Sequence, residues 1–132
     1  VGGALGATGI ATGMTVFPPG GGIVEHSHNV EESVTVLEGS GFAEIEGNAT
    51  PVSQYDTTYI PPGLKHRFVN TGDTEMRILW VYGGIEVTRT VASTGETFAQ
   101  MVFEMMSGPA ASLYSERSGN YQNQKGITWS KK

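Results

Sequence analysis

The chain has no cysteine, and only three histidines and two tryptophans among its 132 residues. Without cysteine there are no disulfide scaffolds, thiolate nucleophiles or zinc ribbons, although neither redox compartment is excluded. No run of about 18 apolar residues occurs, so no bilayer-spanning helix is expected. Charge is also sparse: 16% of residues are charged and the formal net charge is −5. Basic residues are scattered singly, apart from Lys65 with Arg67 and the final Lys131-Lys132. Nucleic-acid binding needs clustered cations, so no nucleic-acid partner is expected. Residues 1–13 are small and uncharged and lack a basic n-region, so a signal peptide is not expected and a cytoplasmic location is. A chain of this length buries roughly two thirds of its unfolded surface as one domain.

Helical periodicity is scarce as well. From Met14 onward the chain is a series of short runs rich in Val, Ile, Thr, Tyr and Phe, such as 14–17, 33–39, 57–61 and 76–84. Gly, Pro and Asn turns punctuate them, among them Pro18-Pro19-Gly20, Glu46-Gly47-Asn48 and Pro61-Pro62-Gly63. About eight short strands at near-regular spacing predict a closed antiparallel barrel or jelly roll. Only residues 98–106 read as helical, with Phe98, Met101, Val102 and Met105 on one stripe. The expected layout is one domain over 1–132: an arm over 1–13, a barrel over 14–90 and a helical or irregular extension over 91–132.

What the chain does contain is a concentration of imidazole. His26 and His28 form a His-x-His pair, Glu32 follows, and His66 lies just beyond Pro61-Pro62-Gly63. Side chains alternate faces along a strand, so His-x-His points two imidazoles the same way. A carboxylate and a third imidazole converging on that pair make a site for Fe, Mn, Ni, Co or Zn with open coordination positions. A His-x-His pair alone is more often an ordinary surface or core feature; Glu32 and His66 turn it into a candidate site.

The spacing Gly20-x5-His26-x-His28-x3-Glu32-x6-Gly39 and Tyr55-x5-Pro61-x-Gly63-x2-His66-x3-Asn70 resembles the two signature motifs of the cupin superfamily. One departure is Tyr55, where the family's pattern has glycine. The resemblance covers residues 20–70 by motif and about 14–90 by strand pattern. It implies an all-β, cupin-type antiparallel barrel of six to eight strands, with His26, His28, Glu32 and His66 gripping one divalent transition metal. It also suggests a homodimer, with the apolar stripe near the C-terminus in need of cover.

Fold alone does not name a reaction. The expected function is a metal-dependent enzyme acting on a small, metal-chelating organic substrate, with a slight preference for a dioxygenase. An isomerase or lyase is the alternative, and a non-catalytic ligand-binding cupin the alternative of another class. With every histidine assigned to the metal, acid/base work falls to Tyr59, Tyr82, a glutamate or a bound water. For both tyrosines an ordinary packing role is the simpler reading. Phe68 shares the parity of His66 and is expected in the cavity wall. Trp80 and Tyr82 share one face of their strand, with the inward side left open. Arg77 and Arg89 are candidate carboxylate anchors, although exposed strand arginines are commoner. Glu31 reads as a solvated loop carboxylate.

Overall fold

The computed structural model describes residues 1–100, which form ten strands and one 3₁₀ turn, Gly3–Leu5. The strands are β1 (Ala11–Phe17), β2 (His26–His28), β3 (Glu32–Glu38), β4 (Ser40–Ile45) and β5 (Asn48–Ser53), followed by β6 (Thr57–Ile60), β7 (His66–Asn70), β8 (Met76–Tyr82), β9 (Thr88–Val91) and β10 (Thr97–Ala99). They pair antiparallel into a four-stranded sheet, β1-β8-β3-β6, and a six-stranded sheet, β10-β9-β2-β7-β4-β5. The two sheets close over one another as the barrel expected from the turn spacing.

Three boundaries differ from expectation. The barrel begins at Ala11, inside the expected arm, because β1 runs the full length of β8 from Ala11–Tyr82 to Phe17–Met76. It also extends past residue 90, through β9 and β10. Phe98 lies on β10 opposite Arg89, so the first part of the expected helix is a strand. Backbone pairing to β9 outweighs a helical stripe of this length, since isolated short helices are marginal. Met101, Val102 and Met105 lie outside the described residues.

Strict alternation builds the interior. Along β8, Met76, Ile78, Trp80 and Tyr82 are buried, while Arg77, Leu79 and Val81 are only partly covered. This settles the open face: Trp80 and Tyr82 point inward. Trp80 lies against Gly13, its cross-strand partner, where any Cβ would collide with the indole. Its Nε1–H donates to Thr15 Oγ1 at 2.9 Å, so the buried indole keeps a partner. Val34, Val36, Ile60, Ala43, Val52 and Phe68 fill the space between the sheets.

Asn70 does more than close its turn. It is buried, and its Nδ2 donates to the carbonyls of Phe17 (3.1 Å), Pro18 (3.1 Å) and Thr74 (2.8 Å). Its Oδ1 accepts from Gly72 N–H at 2.9 Å. One amide thereby joins the end of β1 to the β7–β8 turn, at the opposite end of β7 from His66.

Tyr55 occupies the conformation its glycine-like position demands, with φ of 75° and its N–H donating to Val36 O at 2.7 Å. A left-handed conformation costs a side-chain-bearing residue about 1 kcal/mol. Tyr55 is 75% exposed, so packing offsets little of that cost. Tyr55→Gly is therefore expected to raise stability by up to about 1 kcal/mol, less the extra entropy of an unfolded glycine. The urea midpoint, at unchanged slope, measures it.

Candidate metal centre

The four expected ligands meet at one place, brought there by both sheets. His26 and His28 come from β2 and His66 from β7, all in the six-stranded sheet, with His26 and His66 directly paired. Glu32 comes from the start of β3 in the opposite sheet, paired with Ile60 and Tyr82. All four are at least 94% buried, between 2% and 6% exposed. The three imidazoles offer ligand nitrogens within 4.8 Å of one another. Glu32 Oε1 approaches His66 Nε2 to 3.1 Å and His28 Nε2 to 3.6 Å.

Backbone carbonyls determine which nitrogen of each ring faces the centre. His26 Nδ1–H donates to Val24 O (2.7 Å), His28 Nδ1–H to Thr88 O (2.9 Å) and His66 Nδ1–H to Leu64 O (2.9 Å). A carbonyl only accepts, so each neutral ring carries its proton on Nδ1 and presents a bare lone pair at Nε2. Such partners orient metal-binding histidines and raise their basicity. Pro61, Pro62 and Gly63 set the approach of His66, and Gly63 N–H donates to His28 O at 2.9 Å, tying the turn to β2.

With the rings neutral, the inward-facing atoms are all acceptors. Two acceptors at 3.1 Å repel unless a cation or a shared proton lies between them. His28 Nε2 is buried without any hydrogen-bond partner, an arrangement that costs about 1–3 kcal/mol when nothing binds it. A divalent ion resolves both problems, and three nitrogens with one carboxylate oxygen suit Fe, Mn, Ni, Co or Zn. The residues present fit such an ion.

Burial, the larger cause, keeps His26 and His28 neutral. His26 is lowered to about 2, chiefly by burial, then by the Arg89 charge and by His66. His28 is lowered as well, mainly by burial, against an opposing pull from Glu32.

The remaining candidates divide cleanly. Tyr82 is buried, its ring centroid 4.8 Å from that of His28 and 4.9 Å from that of Trp80. Tyr59 is not at the site. Its neighbour Ile60 points inward beside Glu32, so Tyr59 points outward and is 59% exposed. Its hydroxyl donates to Glu31 Oε1 at 2.9 Å, a bond that also raises its pKa and makes it a poorer acid. Glu31 is the exposed carboxylate expected. Arg77 is excluded as an anchor by the same parity: it points outward and pairs with Glu38 at 3.4 Å. Phe68 is buried in the wall, as its parity with His66 required.

Gln100 was not legible in the sequence. Its N–H donates to Val87 O at 2.8 Å, and its Nε2 donates to the Tyr82 hydroxyl at 2.7 Å. Its Oε1 is buried with no partner. No motif or periodicity marks a glutamine that directly follows β10.

Comparison with known proteins shows the family to which this barrel belongs. Residues 13–82 match the family described as the cupin domain, so the chain is a member of the cupin family. It is 36% identical over 77 residues to a protein named polyketide synthase CurC of Streptomyces cyaneus, covering 58% of this chain and 50% of that one. The chain thus spans about half the length of curated relatives it matches. A sugar phosphate isomerase of the cupin superfamily from Silicibacter pomeroyi superposes with a TM-score of 0.64 at 24% identity, over 76% of this chain and 67% of that one. The polyketide cyclase RemF from Streptomyces resistomycificus superposes with a TM-score of 0.56 at 27% identity, over 62% and 59%.

The buried neutral histidines make apo-protein stability depend on pH. In the unfolded chain a histidine takes a proton below about 6.5, whereas His26 in the folded chain stays neutral down to about 2. The unfolded state then binds more protons, so stability falls as pH drops below 6.5. The slope is about 1.4 kcal/mol per pH unit for each histidine held neutral. Urea midpoints of chelator-treated protein at pH 7.5 and 5.5 measure it, and a flat or rising trend on acidification contradicts the assignment.

Proposed function

We propose that this barrel is a metal-dependent enzyme domain whose substrate is a small organic molecule held through its oxygen atoms, and that the reaction runs through an enolate. The observation that carries the proposal is the common aim of the three Nε2 lone pairs and the Glu32 carboxylate at one buried point. A divalent ion held by His26, His28, Glu32 and His66 would supply Lewis acidity to a substrate carbonyl or enolate oxygen.

The chain's own groups would do the rest. Tyr82 packs its ring beside His28, and its hydroxyl would hold or return a proton at the substrate carbon or oxygen. Gln100 orients that hydroxyl by donating to its oxygen. Phe68, Trp80 and Ile60 exclude water, which strengthens each polar interaction inside. The relative and the superposing structure whose names refer to polyketides favour the same chemistry. A polyketide carries carbonyls on alternate carbons, so neighbouring oxygens chelate and the carbon between them is acidic.

A dioxygenase is the second reading, favoured by the apolar wall and by a ligand set that accepts Fe(II). Tyr82 weighs against it, since a buried hydroxyl near the imidazoles would serve as a proton carrier. A ligand-binding domain without turnover is the third. Incubating Fe(II)- and Mn(II)-loaded protein with 1,3-dicarbonyl compounds, with an oxygen electrode in the cell, separates them. Deuterium exchange or rearrangement without oxygen uptake is the expected result. Oxygen consumption matched to substrate loss selects the dioxygenase, and binding without conversion under both metals ends the enzyme reading.

His26→Ala is expected to lower bound metal at least tenfold while the β-sheet circular dichroism spectrum is kept, since second-site losses of this kind reach 10–100-fold even for indirect ligands. Metal content by elemental analysis checks it.

We also propose a homodimer. The outer face of the four-stranded sheet carries partly exposed Met14, Val16, Leu79 and Val81, with Thr12, Thr35 and Tyr59 around them. Light scattering at micromolar concentration should give twice the chain mass of 14.0 kDa. A mass of one chain removes this part.

A further inference from the structure

One cation on the barrel wall has no partner in the arrangement described so far. Arg89 lies on β9 directly opposite His28 on β2, and Val91 lies opposite His26. Cross-strand partners share a face, so Arg89 faces the same side as the two imidazoles. Parity gives the same answer, because Val87, two residues earlier, is buried in the core. Arg89 is only partly buried, flanked on the other side by Phe98 of β10.

Among the described residues no carboxylate forms an ion pair with Arg89, and no side chain accepts a hydrogen bond from it. The other strand arginines behave differently. Arg67 pairs with Glu44, and Arg77 with Glu38, both on the outside. A guanidinium turned inward without a counterion, on the wall of a cavity whose only described inward carboxylate serves the metal centre, is a binding group awaiting an anion. With a divalent ion in place the inward charges are +2, −1 and +1, so the cavity carries about two positive charges to be matched by what enters.

We infer that Arg89 anchors a substrate carboxylate, so that the molecule bound at the metal centre is a carboxylic acid carrying a second oxygen donor. The inference rests on the proposed function and adds the substrate class. The planar guanidinium presents parallel N–H groups that match two carboxylate oxygens, a bidentate geometry that ammonium does not reproduce. The carboxylate held at Arg89 leaves the neighbouring keto or hydroxyl oxygen for the centre, and directs one end of the substrate consistently. Arg89 is in this sense a specificity-determining residue. A phosphate would be served by several cations, and Arg89 is alone on this face among the described residues.

The test uses the full chain loaded with Mn(II), with acetoacetate, its methyl ester and acetylacetone as probes, and binding read by calorimetry. All three offer the same keto oxygen; only acetoacetate offers a carboxylate. The expected result is that acetoacetate binds at least tenfold tighter than the ester. In Arg89→Gln that ratio falls to within about twofold of unity, through weaker binding of the acid. Arg89→Lys, which keeps the charge and loses the fork, recovers only part of the preference, and it provides the same reading if Arg89→Gln does not fold. Equal affinity of acid and ester in the native chain overturns the inference, as does a preference that survives in both variants. Those outcomes leave the proposed function standing, because the ester and acetylacetone still bind. Failure to retain Mn(II), or to bind any of the three probes, overturns the proposed function and the anchor together.

Discussion

The structure turns on an electrostatic conflict. Three imidazole nitrogens and a carboxylate converge in a space from which water is largely excluded, and with the rings neutral none of these atoms can donate a hydrogen bond to another. Burying an uncompensated carboxylate costs several kcal/mol. Such an arrangement is destabilising by itself and becomes favourable when a cation sits at its centre. The rest of the barrel serves to hold these atoms in that relation.

Two features do the holding. Glu32 stands in one sheet and the histidines in the other, so the closure of the sheets over Phe68, Trp80 and Val34 is also what assembles the site. Around it, three backbone carbonyls fix the ring tautomers. The Val24 and Leu64 carbonyls each lie two residues before the histidine they serve, whereas the Thr88 carbonyl arrives from β9, sixty positions away. Local chain geometry thus orients two rings, and sheet pairing orients the third. The same pairing of β9 with β2 brings Arg89 alongside His28, so ring orientation and cavity charge share one structural cause.

The walls are unequal, and this gives the cavity a direction. Tyr82, Gln100 and Arg89 place a hydroxyl, an amide and a guanidinium on the side formed by the ends of β8, β9 and β10. Ile60, Phe68 and Trp80 supply apolar surface with no donor or acceptor free for a substrate. A ligand with an anionic end and a chelating oxygen, as proposed above, would take one orientation in such a cavity.

Much of this was legible before any coordinates. His-x-His must point two rings one way because strand periodicity is two, and the turn-rich strand pattern leaves little but a barrel or jelly roll for the chain to form. Those features depend on local geometry, which residue order alone controls. The choice between Tyr59 and Tyr82, or between Arg77 and Arg89, was not legible: a shift of one residue reverses the face, and each strand's facing depends on its pairing with strands remote in the chain. Gln100 and the continuation of the barrel into β9 and β10 belong to the same class. Residue order determined the gathering of His26, His28, Glu32 and His66 and the architecture, through spacing and alternation. Only the tertiary structure decided which other side chains share the cavity with them, because that depends on registers between strands up to about seventy residues apart, such as Ala11 with Tyr82.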